Sequence, residues 1–202
     1  MPIELHPIEL HPIAIIDMQK DFTTQKLANS KAKEVIAAIV KLIDSINDDQ
    51  HPLFLSKDFH TKDFKDTLEG KHFPEHCISG TDGMCIDDDI MEAVSRLRDR
   101  VPMALVQFFT KESFGSLQLP ELMNDYANEM KVSFNQDYVI TSIQVCGLVS
   151  SICVISTALI LRAAFPNVPI RVDPETTAGL YYDDNQAALK IMDLCLIDVK
   201  EK

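Results

Sequence analysis

The sequence YVITSIQVC at residues 138–146 is an apolar run rich in β-branched side chains, and it ends at Gly147. A second apolar segment, long enough for a helix, runs from Ser151 and stops before Pro166. A short apolar run that ends at a turn residue predicts a buried strand, and the longer segment predicts a buried helix. This stretch therefore predicts a buried strand, a tight turn and a buried helix in succession.

Cys153 falls in the first turn of the predicted helix. Unpaired backbone N–H groups and the positive end of the helix dipole favour an anion at this position. We therefore expect its thiol to ionise more readily than a free cysteine, whose pKa is about 8.5. On position alone, a small apolar core residue is the more common role for such a cysteine.

Strands and helices alternate along the rest of the chain. The apolar patterns predict further strands at 13–16, 53–55, 103–109, 168–172 and 195–199, and helices at 30–47, 87–100, 120–130 and 183–193. Strands that are apolar throughout and alternate with helices predict a three-layer α/β/α fold with a mostly parallel, six-stranded sheet. We expect one domain over residues 1–202. Residues 1–12 contain the repeat PIELH-PIELH with three prolines, which predicts an irregular amino-terminal extension.

The composition limits the partners and the compartment. A net charge of −12 disfavours nucleic acids and membrane surfaces, because both are polyanionic. The five cysteines are an odd number without C-x-x-C spacing, which is typical of reduced thiols and indicates a cytoplasmic protein. There is no apolar run of about 18 residues and no signal peptide pattern. A small-molecule substrate suits this surface, and a homo-oligomer is left open.

Four chemically active side chains occur where predicted strands end. Asp17, Asp58, Lys111 and Cys153 each lie at or just beyond the carboxyl end of a different strand. In parallel α/β sheets, ligands bind beyond these ends, so the four side chains should converge at one edge. A thiol, a carboxylate and a lysine in one place form a plausible nucleophilic site. The turn that follows Gly147 could direct backbone N–H groups at a developing oxyanion.

A long polar loop over residues 59–87 supplies a second group of candidates. It far exceeds the typical connection of about 4–6 residues, which indicates a functional loop. Asp58 and His60 lie two residues apart, and His76 follows sixteen residues later. Two imidazoles and a carboxylate suit zinc, iron or manganese. Glu69 is the candidate fourth ligand, with His72 less favoured.

Five motifs together resemble the isochorismatase-like cysteine hydrolases. They are AIIDMQKDF at 14–22, DFH at 58–60, FPEHC at 73–77, KESF at 111–114 and GLVSSICV at 147–154. Their order and spacing match the family's signatures over about residues 13–173. The histidines of the metal loop resemble the nicotinamidase branch in particular.

The resemblance implies a catalytic triad of Asp17, Lys111 and Cys153. It implies that Cys153 attacks a carboxamide carbon, that Asp17 carries the proton to departing ammonia, and that water hydrolyses the thioester. It also implies a cis peptide bond between Leu148 and Val149, with the N–H groups of Val149 and Cys153 holding the oxyanion.

The resemblance further implies a divalent metal, zinc first, held by Asp58, His60 and His76, which would bind the pyridine nitrogen of nicotinamide. The ring pocket is expected to contain the aromatic side chains of this region, namely Phe22, Phe73 and Phe114. The implied reaction converts nicotinamide into nicotinate and ammonia in NAD salvage, with pyrazinamide as a second accepted amide. Where many relatives offer a further histidine in the metal loop, this chain has Asp66 and Glu69, so the fourth ligand stays open.

Three alternatives remain at this point. One is a relative that acts on another small amide or on isochorismate, although the isochorismate branch does not need the metal ligands. Another is a catalytically silent binding protein on the same fold. A nucleotide-binding Rossmann enzyme is disfavoured, because no G-x-G-x-x-G follows the first strand of the predicted sheet.

Overall fold

A computed structural model describes residues 6–199 as an α/β structure around a central sheet. The strands are β1 (Ile8–Leu10), β2 (Ile13–Ile16), β3 (Leu53–Asp58), β4 (Val106–Lys111), β5 (Tyr138–Ile140), β6 (Ile143–Leu148), β7 (Ile170–Ala178) and β8 (Ile197–Asp198). The helices are α1 (Lys20–Thr23), α2 (Ala32–Asp44), α3 (Asp88–Arg100), α4 (Gln118–Phe134), α5 (Ile155–Ala164) and α6 (Tyr182–Leu194).

The central sheet has six strands in the order β4-β3-β2-β6-β7-β8, and all of its pairings are parallel. The predicted six-stranded α/β fold is therefore confirmed. The order places the carboxyl ends of β4, β3, β2 and β6 side by side, so the loops that follow these four strands meet at one edge.

Helices cover both faces of the sheet. Alternate residues of a strand point to opposite faces, and in β2 Ile13 and Ile15 pack with α2 and α3. Ala14 and Ile16 face the other side and pack with α4, α5 and α6. Both clusters are buried, as expected for a three-layer fold whose parallel strands are apolar on both faces.

The amino-terminal segment differs from the predicted irregular extension. Residues 1–5 lie outside the described residues, but Ile8–Leu10 forms β1 and pairs in parallel with β5. The predicted strand over 138–146 is correspondingly two strands. At the break, Thr141 N–H donates to the Leu10 carbonyl and the Ser142 hydroxyl lies 2.8 Å from His11 Nδ1. The second PIELH copy, at residues 7–11, therefore pairs with the first part of the apolar run, at residues 138–140.

The helix that carries Cys153 also differs from expectation. It opens with a π-helical turn over Ser150–Val154, and regular α-helix begins only at Ile155. The Val154 N–H donates to the carbonyl of Val149, five residues earlier, which is the π-helical spacing. Such turns are frequent at functional sites.

The long loop between β3 and α3 contains three short 3₁₀ turns. They cover Phe64–Asp66, Glu69–Lys71 and Asp82–Met84. Over residues 6–199, no helix is both long and apolar enough to cross a membrane.

Candidate active site

The strand order brings the three predicted triad residues together. Asp17 directly follows β2, Lys111 is the last residue of β4, and Cys153 lies in the π turn after β6. Asp58 ends β3 and is the register partner of Lys111. All four side chains are buried at one edge of the sheet.

The Lys111 ammonium is the centre of this group. Its Nζ lies 2.7 Å from Asp17 Oδ2 and 3.1 Å from Asp58 Oδ1, and 3.8 Å from the Cys153 sulfur. A single cation therefore bridges two carboxylates and a thiol. This arrangement places a nucleophile, a proton acceptor and a stabilising positive charge within one contact shell.

Asp17 is fixed by its backbone and by Ser56. Its φ of 51° lies in the left-handed region, which is uncommon outside glycine. The Ser56 hydroxyl donates to Asp17 Oδ1 at 2.6 Å and also accepts the Asp17 N–H at 3.1 Å. Ser56 lies on β3 next to β2, so the sheet itself holds the carboxylate toward Lys111.

The expectation of a readily ionised thiol is wrong for this site. Burial raises the pKa of Cys153 well above its ordinary value, and the charge of Asp17 raises it further, while Lys111 lowers it. Burial likewise raises the pKa of Asp17, against the lowering effect of Lys111. Burial lowers the pKa of Lys111, but its two carboxylate neighbours and the thiol outweigh burial, and the net direction is upward. The net direction of the Cys153 pKa in this site is therefore upward.

The turn before Cys153 has a shape that few residues permit. Gly147 has a φ of 117°, and a Cβ added there would lie 2.0 Å from the Ile16 carbonyl oxygen. One residue further along, the peptide bond between Leu148 and Val149 is cis, as the resemblance implies. Val149 and Cys153 line the same cavity, so their N–H groups are candidates for an oxyanion site.

Two hydroxyls connect the π turn to α6. The Ser150 hydroxyl donates to Asn185 Oδ1 at 2.6 Å, and the Ser151 hydroxyl donates to Asp184 Oδ2 at 2.7 Å. In this chain they fix the nucleophile's turn against the first turn of α6.

The predicted metal ligands also come together. One donor atom from each of Asp58, His60, Glu69 and His76 lies within 4.8 Å of the other three. His60 Nε2 is 2.9 Å from Asp58 Oδ2 and 3.8 Å from Glu69 Oε1. His76 Nε2 is 3.3 Å and 3.5 Å from the same two atoms. Glu69, the candidate fourth ligand, belongs to this cluster, whereas His72 is exposed and outside it.

The donor set fits a tetrahedral divalent ion. Four ligands about 2.0–2.1 Å from zinc lie about 3.3 Å from one another, and the four distances above bracket this spacing. His76 Nδ1 lies 2.8 Å from the Pro74 carbonyl, an interaction that orients Nε2 toward the cluster. Without an ion, burial lowers the pKa of His76, but hydrogen bonds to Asp58 and Glu69 raise it to about 9.

Two further polar residues support the site and were not predicted. Gln19 is fully buried, and its side chain donates to the Asp58 carbonyl at 2.9 Å and accepts the Asp58 N–H at 2.7 Å. Asp21 accepts the Cys77 N–H at 2.7 Å, next to the ligand His76. The available signal was their place in AIIDMQKDF, where polar residues directly follow a buried strand.

A cavity of about 280 Å³ joins the triad and the metal cluster. It is lined by Cys153 and by three of the four candidate metal ligands, Asp58, Glu69 and His76. The three predicted aromatic side chains, Phe22, Phe73 and Phe114, all line this cavity. Four further lining residues were not singled out from the sequence: Leu27, Ile152, Leu180 and Tyr181.

The isochorismatase domain matches residues 13–201, nearly the whole chain. The chain belongs to the isochorismatase family. It is therefore a hydrolase of the isochorismatase-like cysteine hydrolase type. It keeps a cysteine, a lysine and an aspartate at the predicted triad positions. The alternative of a catalytically silent binding protein on this fold is therefore no longer supported. Among curated proteins, no match to this sequence is found.

Solved structures of this family share the fold. The pyrazinamidase/nicotinamidase of Streptococcus mutans is 20% identical with a TM-score of 0.74, over 94% of this chain and 99% of that one. The Pyrococcus horikoshii pyrazinamidase in complex with zinc is 17% identical with a TM-score of 0.69, over 97% and 100%. The N-carbamoylsarcosine amidase of Thermoplasma acidophilum is 18% identical with a TM-score of 0.67, over 95% and 96%. At these identities the likeness establishes the fold alone.

Proposed function

We propose that this protein is a metal-dependent nicotinamidase, which hydrolyses nicotinamide to nicotinate and ammonia. The observation that carries the proposal is the shared cavity, which is lined by Cys153 and by three members of the metal cluster, Asp58, Glu69 and His76. A flat aromatic amide with a ring nitrogen offers its carboxamide to the thiol and its ring nitrogen to the metal cluster. Aromatic side chains on the wall suit the ring between them.

The proposed reaction begins with proton transfer. As the Cys153 sulfur attacks the carboxamide carbon, its proton passes to the Asp17 carboxylate, and the Lys111 ammonium stabilises the developing thiolate. The carbonyl oxygen becomes an oxyanion near the N–H groups of Val149 and Cys153. Asp17 then returns the proton to the leaving nitrogen, and ammonia departs from a thioester.

The second half of the reaction releases the acid. Water attacks the thioester carbon and gives a proton to Asp17, and the collapse of the intermediate expels the Cys153 thiolate. The thiolate recovers the proton from Asp17, which restores the resting site. The product leaves as nicotinic acid and becomes nicotinate when it gives its proton to solvent. Burial raises the pKa of both Asp17 and Cys153, so the two groups that exchange the proton shift in the same direction.

Asp58, His60, Glu69 and His76 would hold the proposed metal, with zinc preferred because imidazole and carboxylate ligands in a tetrahedral set suit it. When bound there, the ion would supply a Lewis-acid contact for the ring nitrogen. The zinc complex of the Pyrococcus horikoshii pyrazinamidase supports this assignment. Pyrazinamide, which also has a ring nitrogen, is a proposed second substrate. We also propose that the protein acts in NAD salvage in the cytoplasm.

The test measures ammonia release from nicotinamide by zinc-loaded protein whose metal content is determined on the same sample. We expect about one zinc per chain, loss of activity in Cys153→Ala and retention in Cys195→Ala, which removes a cysteine outside the cavity. Chelation should abolish most of the activity and zinc should restore it. N-carbamoylsarcosine and isochorismate are parallel substrates, and turnover of either one without turnover of nicotinamide contradicts the proposal.

A further inference from the structure

A second cavity, of about 550 Å³, adjoins the catalytic one. We call it the annex. Its apolar wall is formed by Phe59, Phe64, Leu68, Phe73 and Phe114, and Glu112 lies on its polar side. Leu68 is 77% exposed and Phe114 is 38% exposed, so large apolar side chains face solvent here. Apolar surface of this kind commonly marks a binding site.

The annex and the catalytic cavity are adjacent and share part of their lining. Glu69, Phe73 and Phe114 line both of them. The rings of Phe73 and Phe114 meet edge to face, with centroids 6.3 Å apart. This aromatic pair therefore forms part of the boundary that the two cavities share.

The polar groups of the annex disfavour a ligand group that carries a negative charge. The residues that line it include two carboxylates, Glu69 and Glu112, and no lysine or arginine. Glu112 is not a candidate metal ligand, so its charge remains when a metal binds Glu69. An anionic group would meet these carboxylates at close range. An uncharged apolar group would instead bury surface against Phe59, Phe64 and Leu68.

We propose that the annex binds an uncharged apolar substituent on the ring of the substrate. The preferred substrate class is then an aromatic carboxamide that carries such a substituent on the ring side remote from the carboxamide. This inference rests on the proposed amidase function and narrows its substrate. The catalytic cavity of about 280 Å³ holds the ring, and the annex provides the additional volume.

The test compares kcat/KM for nicotinamide with the values for 5-butylnicotinamide and 6-butylnicotinamide. At least one butyl analogue should exceed nicotinamide by about tenfold, because part of the chain leaves water. The matching analogue in which the terminal methyl is replaced by a carboxylate should show no gain.

Two leucines provide matched variants. Leu68→Asp places a carboxylate in the annex, and we expect it to abolish the butyl gain while kcat/KM for nicotinamide stays within about twofold. Leu196 is 79% exposed and directly precedes β8, at the opposite end of the sheet, so Leu196→Asp should keep the gain. Zinc content is measured for both variants, because Leu68 neighbours Glu69.

Each outcome decides the proposal. Butyl analogues that are no better than nicotinamide overturn it, and so does a gain that survives in Leu68→Asp. If no amide is hydrolysed, the nicotinamidase proposal has failed, and calorimetric binding to Cys153→Ala protein then judges the annex separately. Tighter binding of a butyl analogue, lost when Leu68→Asp is added, supports the annex, whereas equal or absent binding overturns it.

Discussion

Asp58 and Lys111 are adjacent register partners on β3 and β4, and Asp58 Oδ1 lies 3.1 Å from Lys111 Nζ. The other oxygen of the same carboxylate lies 2.9 Å from His60 Nε2. One carboxylate therefore contacts both the triad and the metal cluster. Metal binding and nucleophile activation are coupled through it, because any change in the charge of Asp58 acts on both.

The first prediction concerns this coupling. Burial is the main cause of the raised pKa of Cys153, and the charge of Asp58 adds to it. Asp58→Asn should therefore lower the thiol pKa and increase the rate at which iodoacetamide alkylates Cys153 near neutral pH. It should also reduce bound zinc and lower kcat/KM by at least about 100-fold, because a metal ligand is lost.

Glu69→Gln is the control for this prediction. It removes a charge from the same metal cluster, but Glu69 is not among the largest contributions to the raised pKa of Cys153. We expect weaker zinc binding with an unchanged alkylation rate, followed at Cys153 by peptide mass spectrometry. Equal alkylation rates in both variants and the wild type would show that Asp58 does not act on the thiol.

The second prediction is a shift in the pH profile. Asp17 must be a carboxylate to accept the thiol proton, so kcat/KM should fall as the pH falls through the Asp17 pKa. Burial raises this pKa above the ordinary value of 3.8, while hydrogen bonds from Lys111 and Ser56 lower it. Ser56→Ala removes one lowering contribution, and the acid limb of the profile should therefore move to higher pH.

The pH profile is measured from kcat/KM over the acid range with zinc-saturated protein. Ser45→Ala is the matched control, since this exposed hydroxyl donates only to the Leu42 carbonyl within the carboxyl end of α2. It should leave the acid limb unchanged. A Ser56→Ala profile that shifts toward lower pH would contradict the assigned role of the hydroxyl.

The third prediction concerns Gln19 as a positioning residue. Gln19→Leu leaves the buried N–H and carbonyl of Asp58 without their partners, at a cost of about 1–3 kcal/mol for each unsatisfied group. We expect an unfolding free energy lower by about 2–6 kcal/mol, measured by denaturant titration, and weaker zinc binding, measured by competition with a chelator. Gln25→Leu is the control, because the Gln25 side chain bonds an exposed carboxylate. If stability falls but zinc affinity does not, Gln19 supports only the fold.

The sequence could predict much of the site because the site depends on strand ends. Asp17, Asp58, Lys111 and Cys153 each follow an apolar run, and the parallel arrangement of these runs brings them to one edge. The aromatic wall at Phe22, Phe73 and Phe114 could be expected only from the family motifs, because these side chains come from three separate segments of the chain.

Other features depend on contacts between distant segments. The division of residues 138–146 follows from pairing with Ile8–Leu10, which no local pattern in either segment indicates. The thiol was expected to be acidic from its helix position alone. In the folded protein, burial and two carboxylates outweigh the single ammonium of Lys111. Such a balance of charges is set by three-dimensional distances, which a position in a helix does not provide.

The last prediction separates backbone strain from steric overlap at the turn before the nucleophile. Gly147 and Gly80 both have positive φ, at 117° and 81°, so alanine is strained at either position. At Gly80 the added Cβ would meet no atom within 4 Å, whereas at Gly147 it would lie 2.0 Å from the Ile16 carbonyl oxygen. Gly80→Ala should therefore cost about 1–2 kcal/mol of unfolding free energy, from strain alone.

Gly147→Ala should cost about 4 kcal/mol or more, because the new methyl group must push β6 away from its register partner on β2. Denaturant unfolding of the two variants measures the difference directly. The same displacement would move the turn that carries Cys153, so surviving Gly147→Ala protein should also lose ammonia release, while Gly80→Ala should retain it. Equal unfolding free energies in the two variants would mean that the close approach between β2 and β6 does not constrain this turn.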